Sequence, residues 1–266
     1  MRSVGIVVPA YDPDVEVLAD YLDALQSVIR PARVHVELDD GDPETVAAIE
    51  QAGATVNDAA ARRGKGAAVT AGFERLDTDV LAFADADGST PAESFADVVE
   101  CVREDGADLA VGSRRHPEAD VQSHQTVVRR FLGDGFAWLA SGLLSVDLHD
   151  YQCGAKALTA ESWERVRDHL YEPGFAWDVE LVAIAGAHGL RVAEVPIEWE
   201  DRPNSTVSPV RTPFSLFRSL VSARHRAKRL RDSRLHAAIA QRRDDPPALV
   251  DYVGSLSDDR RGSKHE

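Results

Sequence analysis

Val80-Leu81-Ala82-Phe83-Ala84-Asp85-Ala86-Asp87-Gly88 is a short apolar run that ends in two aspartates one residue apart. Five apolar residues closed by acid and glycine read as a buried strand. In open α/β sheets, ligands gather beyond the carboxyl ends of the strands. Asp85 and Asp87 therefore stand where a hard divalent cation, Mg²⁺ or Mn²⁺, can be held against phosphate oxygens. That placement predicts a nucleoside diphosphate as the ligand. Alone, the Asp-x-Asp pattern also arises in solvated loops of a chain with 45 acidic residues, so its surroundings must decide.

Those surroundings alternate strand and helix signals. Val4 to Val8 reads as a buried strand ended by Pro9, Val15 to Ile29 has apolar residues at helical spacing, and Val34 to Leu38 is a second strand. Helices are predicted over Glu44–Ala52, Lys65–Leu76, Glu93–Glu104, Val127–Leu144, Ala160–Asp168 and Val179–His188, with further strands at Leu109–Val111 and Val192–Val195. Such alternation predicts an α/β fold with a mainly parallel sheet flanked by helices. Two common versions fail on residues. The first strand leads into Pro9-Ala10-Tyr11-Asp12-Pro13 and lacks the glycine-rich dinucleotide turn. Arg62-Arg63-Gly64-Lys65-Gly66 has no Ser or Thr after its Gly-Lys pair, which excludes a P-loop.

Composition narrows the class further. The chain has 266 residues, is 44% hydrophobic and carries a net charge of −15. That length suits one large core with an appendage. No apolar run reaches the roughly 18 residues of a membrane span, and Met1-Arg2-Ser3 leads straight into a strand, so a cytoplasmic protein is expected. Cys101 and Cys153 lack metal-knuckle or disulfide spacing and are expected to be buried thiols. The acidic balance suggests a surface kept soluble at high salt, as in halophiles. Charge is unevenly spread: Arg211 to Arg243 holds ten Lys/Arg and one Asp.

Taken in order, Val7-Val8-Pro9-Ala10-Tyr11, Leu38-Asp39-Asp40-Gly41, Arg63-Gly64-Lys65-Gly66, Asp85-Ala86-Asp87-Gly88, Gly112-Ser113-Arg114, Gln152-Cys153-Gly154-Ala155-Lys156, Phe175-Ala176-Trp177-Asp178-Val179-Glu180 and Val195-Pro196 resemble the family 2 glycosyltransferases of GT-A (Rossmann-like) fold. Within them the chain is similar to the dolichyl-phosphate glucosyltransferase and mannosyltransferase group, leaning to the glucosyl branch. The resemblance implies that Pro9, Tyr11, Leu38 and Asp40 surround the nucleobase and ribose. It places Asp85 and Asp87 on the metal, with the Ala86 backbone near the ribose. Lys65, Arg114 and Arg202 would join the nucleotide-sugar contacts, since guanidinium forks suit phosphate oxygens. Asp150, Asp178 and Glu180 are the candidates for orienting a sugar hydroxyl or acting as a base; helix capping or surface charge is the alternative for each. Two blocks depart from the family pattern: Asp12-Pro13 replaces Asn-Glu, and Arg202-Pro203-Asn204-Ser205-Thr206 lacks the final lysine, which would move a phosphate contact to Arg211.

The implied activity is inverting transfer of a hexose from UDP-glucose, or from GDP-mannose, to dolichyl (polyprenyl) phosphate. A phosphate acceptor is already anionic near neutral pH and needs no strong base. A family 2 transferase acting on a sugar or protein hydroxyl, and a non-catalytic nucleotide-sugar-binding scaffold, are the alternatives. The expected boundaries are a GT-A domain over 1–212, a basic amphipathic helical segment over 213–243 and a disordered acidic, polar tail over 244–266. In the middle segment Phe214, Phe217, Leu220 and Val221 form an apolar edge beside Arg218, Arg224, Arg226, Lys228, Arg229, Arg231 and Arg234. This predicts a peripheral attachment to the anionic inner face of the cell membrane. Packing on the acidic body is the alternative, and the basic stretch has no interleaved aromatics of the kind nucleic-acid binding uses.

Overall fold

The computed structural model describes residues 1–122, 139–200, 212–230 and 247–253. A seven-stranded sheet runs through the body in the order β3-β2-β1-β4-β7-β5-β8. Its strands are β1 (Val4–Tyr11), β2 (Arg33–Asp39), β3 (Thr55–Ala59), β4 (Val80–Ala84), β5 (Leu109–Ser113), β7 (Ala155–Thr159) and β8 (Val192–Pro196). All neighbours pair in parallel except at β7, which runs antiparallel between β4 and β5. A short parallel ribbon joins β6 (Asp120–Gln122) to β9 (Glu198–Glu200).

Helices cover both faces of the sheet. The α1 (Val15–Ile29) and α4 (Ala92–Arg103) helices pack on one face, where Ile6, Val8, Leu22, Val36, Phe95 and Val99 are buried. The other face carries α3 (Lys65–Phe73), α5 (Ala160–Val166), α6 (Trp177–Ala187) and α7 (Thr212–Leu230). Val7, Phe83, Trp163, Trp177 and Ile184 form the core there. Successive side chains of a strand point to opposite faces, so the adjacent buried residues Ile6, Val7 and Val8 require cover on both sides. Local chemistry starts the helices. Asp14 accepts from the Val17 N–H, Asp42 accepts from the Glu44 and Thr45 N–H groups at the head of α2 (Pro43–Gln51), and Thr159 accepts from the Ser162 N–H.

Three expectations change. Pro9 does not end β1, which continues to Tyr11. Pairing with β4 stops at Val7↔Phe83 while pairing with β2 continues through Pro9↔Glu37, so the missing N–H sits where β1 has a neighbour on one side alone. The apolar edge of the basic segment is used in part by the body: Leu220, Ala223 and Ala227 are buried, while Val221 is exposed. The side chains of Phe214 and Phe217 lie outside the described residues. Within the expected loose tail, residues 249–253 form a helical turn; Ala248 before it and Leu249 and Val253 within it are buried, and the Leu249 N–H donates to the Leu170 carbonyl at 2.8 Å. Leu249 and Val253 join the core cluster on the α7 face of the sheet. Of the helix expected over Val127–Leu144, residues 139–143 are described and helical. No helix among the described residues is long and apolar enough to cross a membrane.

Candidate active site

Parallel strands β2, β1 and β4 end on one edge of the sheet, which brings Asp39-Asp40, Tyr11 and Asp85 side by side. Arg114 follows the end of β5 on the same edge. The antiparallel β7 starts there, with Ala155 opposite Ala84, so Gln152-Cys153-Gly154 enters next to Asp85. The Asp85 N–H donates to the Gly154 carbonyl at 3.0 Å. A Cβ on Gly154 would lie 2.6 Å from Asp85 Oδ1 and closer still to Oδ2, so this glycine makes room for the carboxylate.

Asp85 opens a chain of alternating charge. Lys65 Nζ bridges Asp85 Oδ1 at 2.8 Å and Asp178 Oδ2 at 3.0 Å, and Lys156 Nζ meets Asp178 Oδ1 at 2.6 Å. Lys156 also donates to the Cys153 carbonyl at 2.6 Å. Both ammonium groups lie near the ring of Phe83, at 5.1 and 5.8 Å from its centroid, which adds cation–π attraction. Burial raises the Asp85 carboxyl above the usual carboxylate range, with Asp87 and Asp178 adding repulsion against the pull of Lys65. Its side chain is still 44% exposed, and Asp87 is exposed. Asp87 Oδ1 accepts from the Ser89 N–H at 2.9 Å. Among the described residues no group of three or more His, Cys, Asp or Glu is arranged to hold a metal. Two accessible carboxylates fit a divalent cation that completes its shell with phosphate oxygens, as Mg²⁺ does in nucleotide sites, better than a protein-enclosed ion.

Arg114 forks onto Asp150, with Nε to Oδ2 at 2.7 Å and Nη2 to Oδ1 at 3.1 Å, and its ring neighbour is Trp199 at 5.7 Å. Burial alone would raise the Asp150 carboxyl, but the Arg114 charge and hydrogen bonds hold it down at about 2. Glu180 is fully buried. It accepts from the Tyr171 and Glu172 N–H groups, each at 2.8 Å, and pairs with Arg226 of α7. Burial pushes its carboxyl up against the pull of Arg226. The fold thus gathers Lys65, Asp85, Asp178, Arg114 and Asp150 at the sheet edge, and pairs Glu180 with Arg226.

At the nucleobase end, Tyr11 is 37% exposed and the Arg62 guanidinium lies over its ring at 4.1 Å. Asp40 is exposed in the left-handed region, φ 57°, and its N–H donates to the Ala59 carbonyl at 2.7 Å. Pro9 is half-buried, and Leu38 is fully buried beneath this surface. Arg202 and Arg211 lie outside the described residues.

Sequence reasoning assigned no role to Glu37, Asp39 or Lys156. Glu37 is fully buried and gathers His35 at 3.0 Å, Asn57 at 2.7 Å, Arg63 at 2.8 Å and Arg75 at 3.3 Å. Arg63 also reaches Asp39, whose Oδ2 accepts from the Arg63 and Gly64 N–H groups at 2.7 and 3.1 Å. This network fixes the turn before Lys65, where Gly64 adopts φ 97°. An acid at Glu37 inside a strand otherwise reading as core was the one available signal. Cys153 is a buried free thiol, pushed up to about 12 by burial, and Cys101 is free and half-buried.

A sheet of this order, mainly parallel and flanked by helices, with an acidic pair beyond the carboxyl end of its central strand, is an arrangement of GT-A type. The chain belongs to glycosyl transferase family 2, whose family model matches residues 5–142. It is 36% identical over 152 residues to glycosyltransferase AglD of Haloferax volcanii, covering 56% of this chain and 24% of that protein. It is 35% identical over 156 residues to mouse dolichyl-phosphate beta-glucosyltransferase, covering 55% of this chain and 47% of that protein. The Dictyostelium discoideum enzyme of the same name is 24% identical over 242 residues, covering 84% and 74%. The chain thus spans about a quarter to a half of the length of the first two. Glucosyl-3-phosphoglycerate synthase from Mycobacterium tuberculosis, solved with Mn²⁺, UDP-glucose and phosphoglyceric acid, shares the fold with a TM-score of 0.64 at 16% identity, covering 84% of this chain and 80% of that one.

Proposed function

We propose that this chain is an inverting hexosyltransferase that moves glucose from UDP-glucose to dolichyl or another polyprenyl phosphate. The names of its relatives support the lipid-phosphate acceptor and the sugar. The observation that carries the reading is the state of the three candidate bases. Asp150 is locked to Arg114 and held at about 2, Asp178 has an ammonium on each oxygen, and Glu180 is buried on two N–H groups and Arg226. None is free to take a proton from a sugar hydroxyl. A phosphate monoester, with a second pKa near 6, arrives already ionised.

Catalysis then rests on positioning and charge neutralisation. Tyr11 and Asp40 take the nucleobase and ribose, with Asp40 accepting from the base. Asp85 and Asp87 would hold Mg²⁺ or Mn²⁺, which when bound would supply positive charge against the diphosphate leaving group. Lys65 keeps Asp85 in place, and Arg114, with Arg202 as the proposed partner, brings the two anions together. Displacement at the anomeric carbon inverts it and gives a β-linked lipid-phosphate sugar. The exposed side of α7, with Arg218 and Val221, supports attachment of the segment 213–243 to an anionic membrane surface at the cytoplasmic face. The product would serve protein glycosylation or envelope glycan assembly.

The test is transfer of labelled hexose into the organic phase from UDP-glucose, UDP-galactose or GDP-mannose, with polyprenyl phosphate and Mg²⁺ or Mn²⁺. Label from UDP-glucose that disappears in Asp87→Ala is the expected result. Label from GDP-mannose alone would replace the sugar, and nucleotide binding without turnover would favour a scaffold.

A further inference from the structure

Glu180 ties the loop just before its own helix to α7, 46 residues further along the chain. Its Oε2 holds the Tyr171 and Glu172 N–H groups, and its Oε1 holds Arg226 on α7. The Arg226 guanidinium also lies 4.5 Å from the centroid of the Tyr171 ring. The loop so anchored presses on the head of α3. The Pro173 carbonyl accepts from the Ala67 N–H at 3.1 Å and would lie 2.6 Å from a Cβ on Gly64. A Cβ on Gly66 would meet the Glu172 carbonyl oxygen even more closely, and Trp177 Cβ at 2.6 Å. Between these two glycines stands Lys65, the cation that bridges Asp85 and Asp178. Asp178 itself is two residues before Glu180 on α6. The path from α7 to the donor end is therefore continuous: Arg226, Glu180, the 171–173 loop, the turn at Gly64–Gly66, Lys65, Asp85.

We propose that Glu180 and Arg226 form a positioning pair through which α7 sets Lys65, and with it the Asp85 carboxylate, for the donor nucleotide. Glu180 touches neither donor nor acceptor in this account. Its role in turnover rests on the function proposed above; its role in setting the Lys65 turn does not.

The test uses the full chain with Arg226→Ala, Arg226→Lys and Glu180→Gln. Amide hydrogen exchange is followed over residues 64–68, where Ala67 and Ala68 donate to Pro173 and Gly64. Arg226→Ala should speed exchange in this turn by about tenfold while β1 and β2 stay protected. Arg226→Lys should recover most of the protection. Affinity for Mg-UDP should fall about tenfold in Arg226→Ala and Glu180→Gln, the scale of coupling through packed networks. Unchanged exchange at 64–68 in Arg226→Ala would overturn the proposal. So would exchange that rises equally across the sheet, because the pair would then be merely structural. A wild-type chain that binds no Mg-UDP would sink the functional reading, and the exchange comparison would still decide the positioning role.

Discussion

Replacing Gly154 with alanine sets a methyl group against the carboxylate of Asp85. The new Cβ would stand 2.6 Å from Oδ1 and closer to Oδ2, where ordinary contact begins at 3.4 Å. The backbone cannot easily yield, because the Asp85 N–H is bonded to the Gly154 carbonyl and the next residues, Ala84 and Ala155, are paired in the sheet. Relief must come from the Asp85 side chain, which has to move by about 1 Å or more, and a misplacement of that size can cost about a hundredfold in rate. The 2.8 Å bond to Lys65 would open with it. Overpacking itself costs about 1–3 kcal/mol, which for a chain of this size lowers the melting temperature by about 2–4 °C per kcal/mol. The assay is donor kcat/KM at graded Mg²⁺, alongside a thermal melt. A folded Gly154→Ala protein with wild-type donor kinetics would refute the idea that this glycine exists to seat Asp85.

Further predictions follow from the same contacts. Asp87→Ala should abolish metal-dependent UDP binding in calorimetry, yet change stability by no more than about 0.5 kcal/mol because the side chain is exposed; a large drop in melting temperature would assign it a structural role instead. Glu37→Ala should lower stability by about 3–5 kcal/mol in urea unfolding, since Arg63 loses a fully buried partner; an unchanged midpoint would show that the network is dispensable. Asp150 has a folded value near 2 against an ordinary 3.8, so its stabilising contribution is complete above 3.8 and fades as pH falls toward 2. That difference corresponds to about 2 kcal/mol. Wild-type stability should decline over this window, and Asp150→Asn should flatten that part of the profile; parallel profiles would rule out the Arg114 pairing as its source.

The sequence is legible where period and punctuation agree. Strand β4 and its acidic end, helix α1 and helix α4 all appear close to where the pattern puts them. Strand β3 does not, because Thr55-Val56-Asn57-Asp58-Ala59 is a polar strand at the sheet edge whose Asn57 serves Glu37. Strand β7 is also unreadable: Ala155-Lys156-Ala157-Leu158-Thr159 has a lysine at its centre, and period rules do not place a charge in a strand paired on both sides. Lys156 is tolerated there because Asp178 and two carbonyls receive it, a long-range fact no window of sequence contains. The site is similarly divided. The acids of the edge are visible as motifs, but which acids are locked by cations emerges only when β5, β7 and α6 are brought together.

The central claim is that the acceptor must arrive as an anion, and side-by-side acceptors test it most directly. With UDP-glucose labelled in the sugar and Mg²⁺ present, the chain is offered polyprenyl phosphate and the corresponding polyprenol, which differ at the attacking group alone. The account predicts label in polyprenyl phosphate and none in polyprenol. Comparable transfer to the polyprenol hydroxyl would contradict it, because some group at this edge would then be acting as the base that Asp150, Asp178 and Glu180 are too tightly held to be.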